Sequence, residues 1–187
     1  MIIFVKLLLA HLIGDFLLQP TSWVEDKEKN KQKSLYLYLH TFLHGAIAWI
    51  LVGEKAFFGF AVLLAFLHGL IDFLKLYFQT KKTKRTWFSV DQILHLIVIL
   101  IITVVYTDTK IEFESFSNQF WIVLTGIVLL TKPTSIIIKN IISIWTPENK
   151  TKDNSLQNAG NYIGILERLF VFCFILLSPV NEVRFIS

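Results

Sequence analysis

The sequence predicts an all-α fold: a polytopic membrane helical bundle of about six transmembrane helices, with a broken fifth segment. Three observations carry that prediction. The 187 residues are 54% hydrophobic with a mean hydropathy of +0.59, and their charges bunch into short stretches between long apolar runs. Most of those runs approach the roughly 20 residues that cross a bilayer core as a helix. Tryptophans and tyrosines (Trp23, Trp49, Trp87, Trp121 and Trp145; Tyr36, Tyr38, Tyr77, Tyr106 and Tyr162) fall near the ends of the runs, where amphipathic rings favour the headgroup level.

The segments follow in order: residues 2–19, 34–52, 57–79, 87–107, 119–131 with an extension, and 161–180. The first contains His11 and Asp15 and lacks a basic leader and a small-residue cleavage site, so it reads as a retained helix rather than a signal peptide. The fifth is interrupted by "LTKPTS". Pro133 fits the first turn of a new helix with Thr131 as its cap, so an amphipathic piece over 133–146 starts afresh. Lysines concentrate in the first loop (Lys27, Lys29, Lys31, Lys33), the third (Lys81, Lys82, Lys84, with Arg85) and the fifth (Lys150, Lys152). Lys55 and Lys110 stand alone in the others. The odd loops are therefore expected in the cytoplasm and both termini outside. One domain, 1–187, is expected.

Composition also excludes. A single cysteine, Cys173, rules out a disulfide framework and a cysteine-based zinc site. The net charge of +4 comes from loop lysines that alternate with acids and lack interleaved aromatics, which is no nucleic-acid surface.

Four of the apolar segments carry polar pairs: His11 with Asp15, His40 with His44, His68 with Asp72, and Asp91 with His95. Each pair is spaced i, i+4, which sets both side chains on one helix face. The five histidines of the chain are all used, and three of its six aspartates. At about 1.5 Å per residue, counted from the lysine-rich ends, the pairs lie about 6–16 Å deep, in one layer. Glu167, in "GILERLF", falls about 9 Å deep in its own segment.

Three unpaired aspartates at helix centres would cost on the order of 8–10 kcal/mol. Basic partners at that depth look scarce, with Lys75 expected to reach out to the interface and Arg168 adjacent to Glu167. A bound cation is the economical partner. Imidazole with carboxylate suits zinc, manganese or iron, and carboxylate alone suits magnesium. Against this stands a structural reading, in which Asp–His contacts clamp helices together. One clamp would explain one or two pairs; four pairs in one layer favour a ligand.

The segments "AHLIGDFLLQ", "LHTFLHG", "LHGLIDFLK", "DQILHL" and "GNYIGILERLF" resemble, in order, a family of bacterial integral membrane proteins designated domain of unknown function 3307. The resemblance covers the first 107 residues or so and one motif of the last helix. It implies a small multi-pass protein of the bacterial inner membrane and no established reaction. More loosely, the pairs are similar to those of inner-membrane proteins described as metal-dependent hydrolases.

The expected function is a membrane-embedded metal-dependent hydrolase acting near the cytoplasmic leaflet, on a lipid or isoprenoid phosphate. His11, Asp15, His40, His44, His68, Asp72, Asp91 and His95 would hold one or two divalent ions, zinc first. Glu167 is the candidate general base, and Gln19, Gln92 and Arg85 are candidate substrate contacts. Transport or sensing of a divalent metal or proton is the alternative, though outer halves such as "ILIITVVYT" contain almost no polar side chain. Haem ligation ranks last, because it gives no reason for three buried aspartates.

Overall fold

The computed structural model describes residues 2–107, 119–143 and 154–177. They form helices and no strand: α1 (Ile2–Leu12), α2 (Thr21–Asn30), α3 (Leu35–Val52), α4 (Phe58–Phe78), α5 (Lys84–Thr107), α6 (Gln119–Leu130), α7 (Lys132–Ile142) and α8 (Asn154–Leu177). Two compact units result, Met1–Gly126 and Ile127–Ser187, with the boundary inside α6. Trp145, Lys110, Lys150 and Lys152 lie outside the described residues.

In the first unit α1, α3, α4 and α5 close a ring, with α1 and α4 each packed against both α3 and α5. Leu35–Val52, Lys55–Phe78 and Lys84–Thr107 are long and apolar enough to cross a membrane. Their outward faces show Phe42, Phe66, Leu70, Ile93 and Ile97, a surface that suits lipid and not water. Small residues let α3 and α4 approach closely. A methyl group on Gly45 would stand 2.9 Å from Ala65 Cβ and 3.0 Å from the Ala61 carbonyl. Gly53, at φ 78°, closes α3 by donating its N–H to the Trp49 carbonyl at 3.0 Å.

The first segment differs from the continuous helix over 2–19. α1 stops at Leu12 and continues as a π turn over Ile13–Leu17, marked by the Leu18 N–H bonded to the Ile13 carbonyl at 2.9 Å. Pro20 then ends the run, since it has no N–H to give and disfavours helical geometry in the residue before it. The lysine-rich stretch beyond is not a loop. It forms α2, turned by 83° from the first helix, so α2 lies across the lysine-rich end of the ring. Its Trp23 stacks on Tyr36 with centroids 5.1 Å apart, and Ser34 donates to Asp26 at 2.5 Å.

The opposite half of the ring is an apolar plug of Ile3, Leu7, Val52, Phe57, Leu64, Ile99 and Ile102, with Ala10, Ala48 and Ala61 filling the narrow contacts. Phe57, fully buried, packs edge-on to Tyr106, whose hydroxyl donates to Glu54.

In the second unit α7 begins after a bend of 42° at Thr131, with Pro133 buried in its first turn. Thr131 stands at the cap position, but its hydroxyl donates backward to the Val128 carbonyl at 2.6 Å instead of capping α7. The carbonyls freed by the break find other donors. Thr134 Oγ1 bonds Leu129 O at 2.6 Å and Arg168 Nε bonds Leu130 O at 3.0 Å; a second guanidinium nitrogen bonds Ser135 Oγ at 2.7 Å. Arg168 therefore serves the helix break, not Glu167. Within α8, Ala159–Leu177 is long and apolar enough to cross a membrane.

Candidate metal centre

The ring geometry turns the four polar pairs inward. His11 closes α1, Asp15 sits in the π turn, α3 supplies His40 and His44, α4 supplies His68 and Asp72, and α5 supplies Asp91 and His95. All five imidazoles are at most 3% exposed. His44 and His68 stack with centroids 3.5 Å apart, and His95 lies 4.0 Å from His68. All eight side chains thus join one buried cluster.

Asp15 is its centre. The Oδ1 atom lies 2.9 Å from His44 Nε2, 3.2 Å from His40 Nε2 and 3.5 Å from His68 Nε2, and the last two nitrogens are 3.1 Å apart. These four separations are close to the edge of a tetrahedron, about 3.4 Å, that donors about 2.0–2.1 Å from a zinc-like ion would form, and the His40 and His68 nitrogens share a hydrogen bond across theirs. Moreover, Asp15 Oδ1 and His44 Nε2 are buried and in no hydrogen bond, although they are close enough for one. Buried polar atoms are rarely left unpaired. Imidazole with carboxylate is the donor chemistry of a divalent first-row ion. His11, Asp15, His44 and His68 place donor atoms within 4.8 Å of one another, as do His40, His68 and Asp72, and Asp15, Asp91 and His95.

Basic partners are present where the sequence reading found them scarce. Lys27, from α2, is buried and donates to Asp72 Oδ2 at 2.7 Å. Lys75 does not reach out to the interface; it donates to Asp91 Oδ2 at 2.8 Å. Two of the three carboxylates therefore have ammonium partners, and the charge argument for a cation narrows to Asp15.

Gln92 organises the cluster from within. Its Oε1 accepts from His11 Nε2 at 3.3 Å, and its Nε2 donates to Asp15 Oδ2 at 3.1 Å and Asp91 Oδ2 at 3.2 Å. These are contacts to the site residues themselves, which gives Gln92 a positioning role beside the substrate contact expected of it. Beyond the histidines lies a small cavity lined by Leu7, His11, His44, Leu64, His68, His95, Val98 and Ile99, with room for about one water molecule. Gln19 is half-buried, its Nε2 without a hydrogen-bond partner, and Arg85 is exposed at the start of α5. Glu167 is an exposed residue of α8, in the second unit.

Two site residues escaped the sequence reading. Lys27 is hidden among six other charges in "EDKEKNKQK", and only its alignment with Trp23 on one face of a short helix sets it apart. Gly14 packs against the centre: a methyl group there would stand 2.3 Å from His44 Nε2. Its place beside Asp15 in "AHLIGDFLLQ" was the available signal.

Fold and cluster together define a polytopic helical membrane protein with a buried histidine–carboxylate centre. The chain belongs to the family described as Protein of unknown function (DUF3307), whose model matches residues 3–124, within the unit that holds the centre. Comparison with curated proteins and with solved structures returned no match.

Proposed function

We propose that this protein is a membrane-embedded, metal-dependent hydrolase of the bacterial inner membrane. Its substrate would be a lipid or isoprenoid phosphate presented near the cytoplasmic leaflet. The observation that carries the reading is the convergence of unpaired, buried Asp15 Oδ1 and His44 Nε2 with the Nε2 atoms of His40 and His68. These four residues would hold the ion. When bound, a divalent ion supplies Lewis acidity toward a phosphoryl or carbonyl oxygen and acidifies water.

The remaining residues take roles around that ion. His11 and His95 line the water-sized cavity and are not needed as first ligands, so either can accept a proton as general base. Gln92 holds His11 and Asp15 in register. The position of the centre toward the lysine-rich end suits an amphiphile whose anionic head stays near that surface, with Arg85 and its neighbouring lysines drawing it in. Glu167 remains a candidate base by sequence; within the first unit the histidines fill that role.

A transport route receives less support. The half of the ring beyond the histidines is the apolar plug, and a permeating cation would need polar groups there.

The test is phosphate release from lipid phosphates in mixed micelles by zinc- or manganese-loaded protein. Release by wild type, abolished by chelator and by Asp15→Asn, is expected. Ion-loaded, folded protein that hydrolyses neither lipid phosphates nor lipid esters would overturn the hydrolase reading.

A further inference from the structure

We infer that the centre takes a single divalent ion, because the chain supplies its own cations, Lys27 and Lys75, at the two flanking positions where further ions would sit. This rests on the ion-binding reading above and limits it.

Three donor groups overlap in the cluster. The central one contains Asp15, whose nearest partners are imidazoles and Gln92, with no ammonium among the described residues. Each outer group adds one carboxylate to donors that the first ion already uses: Asp72 to His40 and His68, and Asp91, with His95, to Asp15. Both added carboxylates are engaged. Lys27 Nζ stands 2.7 Å from Asp72 Oδ2, with both side chains at least nine-tenths buried, and Lys75 Nζ stands 2.8 Å from Asp91 Oδ2, with Asp91 1% exposed. A divalent ion on either outer group would share a carboxylate with an ammonium, in a site with little water to screen them.

Charge balance gives the same answer. With the five imidazoles neutral, as metal ligands must be, three carboxylates face two ammonium groups, which leaves one negative charge, on Asp15. One divalent ion brings the buried cluster to a single positive charge, which an anionic substrate can neutralise. A second ion would leave an excess of three positive charges, and isolated buried charge is strongly disfavoured. The lysines thus do in this chain what a second and third ion would do in a multinuclear site.

The test uses full-length protein in detergent loaded with manganese(II), with metal counted by mass spectrometry and the ion examined by electron paramagnetic resonance. Wild type should hold one ion per chain with the resolved hyperfine pattern of an isolated centre. Lys27→Met should take up a second ion and show an exchange-broadened signal, whereas Lys27→Arg should stay at one. Two coupled ions in wild type would overturn the inference and leave the metal centre standing. A Lys27→Met chain that stays at one ion would overturn the part assigned to Lys27, and the same measurement on Lys75→Met judges its counterpart. No ion in folded wild type would overturn the metal reading itself.

Discussion

Gly14→Ala is the substitution that bears most directly on how the centre is held. The added methyl group would lie 2.3 Å from His44 Nε2 and 2.5 Å from Cε1, where non-bonded carbon contacts settle at about 3.5–4.0 Å. The imidazole must therefore retreat by about 1 Å. It has little room, being 1% exposed and stacked on His68 at 3.5 Å, so the shift passes to a second ligand. Metal–ligand distances tolerate about 0.2 Å, and overpacking of this kind costs about 1–3 kcal/mol. At about 1.4 kcal/mol per factor of ten, zinc affinity should fall about 10- to 100-fold. Competition against a chromogenic chelator in detergent measures it, with circular dichroism to confirm that the helices persist. Gly59→Ala is the control, because a methyl group there meets nothing within 4 Å. Wild-type affinity in folded Gly14→Ala would refute the reasoning.

Other predictions follow from the partners of each group. In chelator, Lys27→Met leaves Asp72 buried without its ammonium, so stability against denaturant should drop by about 3–5 kcal/mol, most of it recovered by pairing the change with Asp72→Leu. Failure of the double variant to recover would place the loss elsewhere in α2. Gln92→Leu strips one partner each from His11, Asp15 and Asp91; ion affinity should fall about 10- to 100-fold with stoichiometry unchanged, as metal titration would show. Arg168→Leu frees the Leu130 carbonyl at the α6–α7 break. A loss of about 1–3 kcal/mol is expected in thermal unfolding followed by helicity, with Arg168→Lys recovering part of it.

The spanning helices were legible because lipid imposes one rule, a long apolar run, that needs no knowledge of neighbours. The polar pairs were legible for the same reason: His and Asp are conspicuous in such a run, and i, i+4 spacing fixes their common face. What the sequence concealed depends on other elements. Lys27 looks like one solvated lysine among many, and its burial exists only because Pro20 turns α2 across the ring onto Asp72. Lys75 sits near a helix end, where outward reach is the usual outcome, and only the placement of α5 offers it Asp91 instead. The π turn is a local adjustment that no periodicity announces, yet it lies at Asp15, where the donors converge. At the broken segment Pro133 marked the break. The use of the Thr131 hydroxyl on Val128, and of Arg168 on the freed carbonyl, could not be read from spacing.

The central claim is that Asp15, and not its buried fellow carboxylates, provides the charge that holds the ion. Metal content by mass spectrometry of monodisperse wild type, Asp15→Asn and the double variant Lys27→Met with Asp72→Asn, purified side by side, tests it most directly. Wild type and the double variant should each keep close to one ion per chain, since Lys27 and Asp72 cancel each other's charge and leave together, while Asp15→Asn should keep none. An Asp15→Asn chain that retains its ion, or equal loss in both variants, would contradict it.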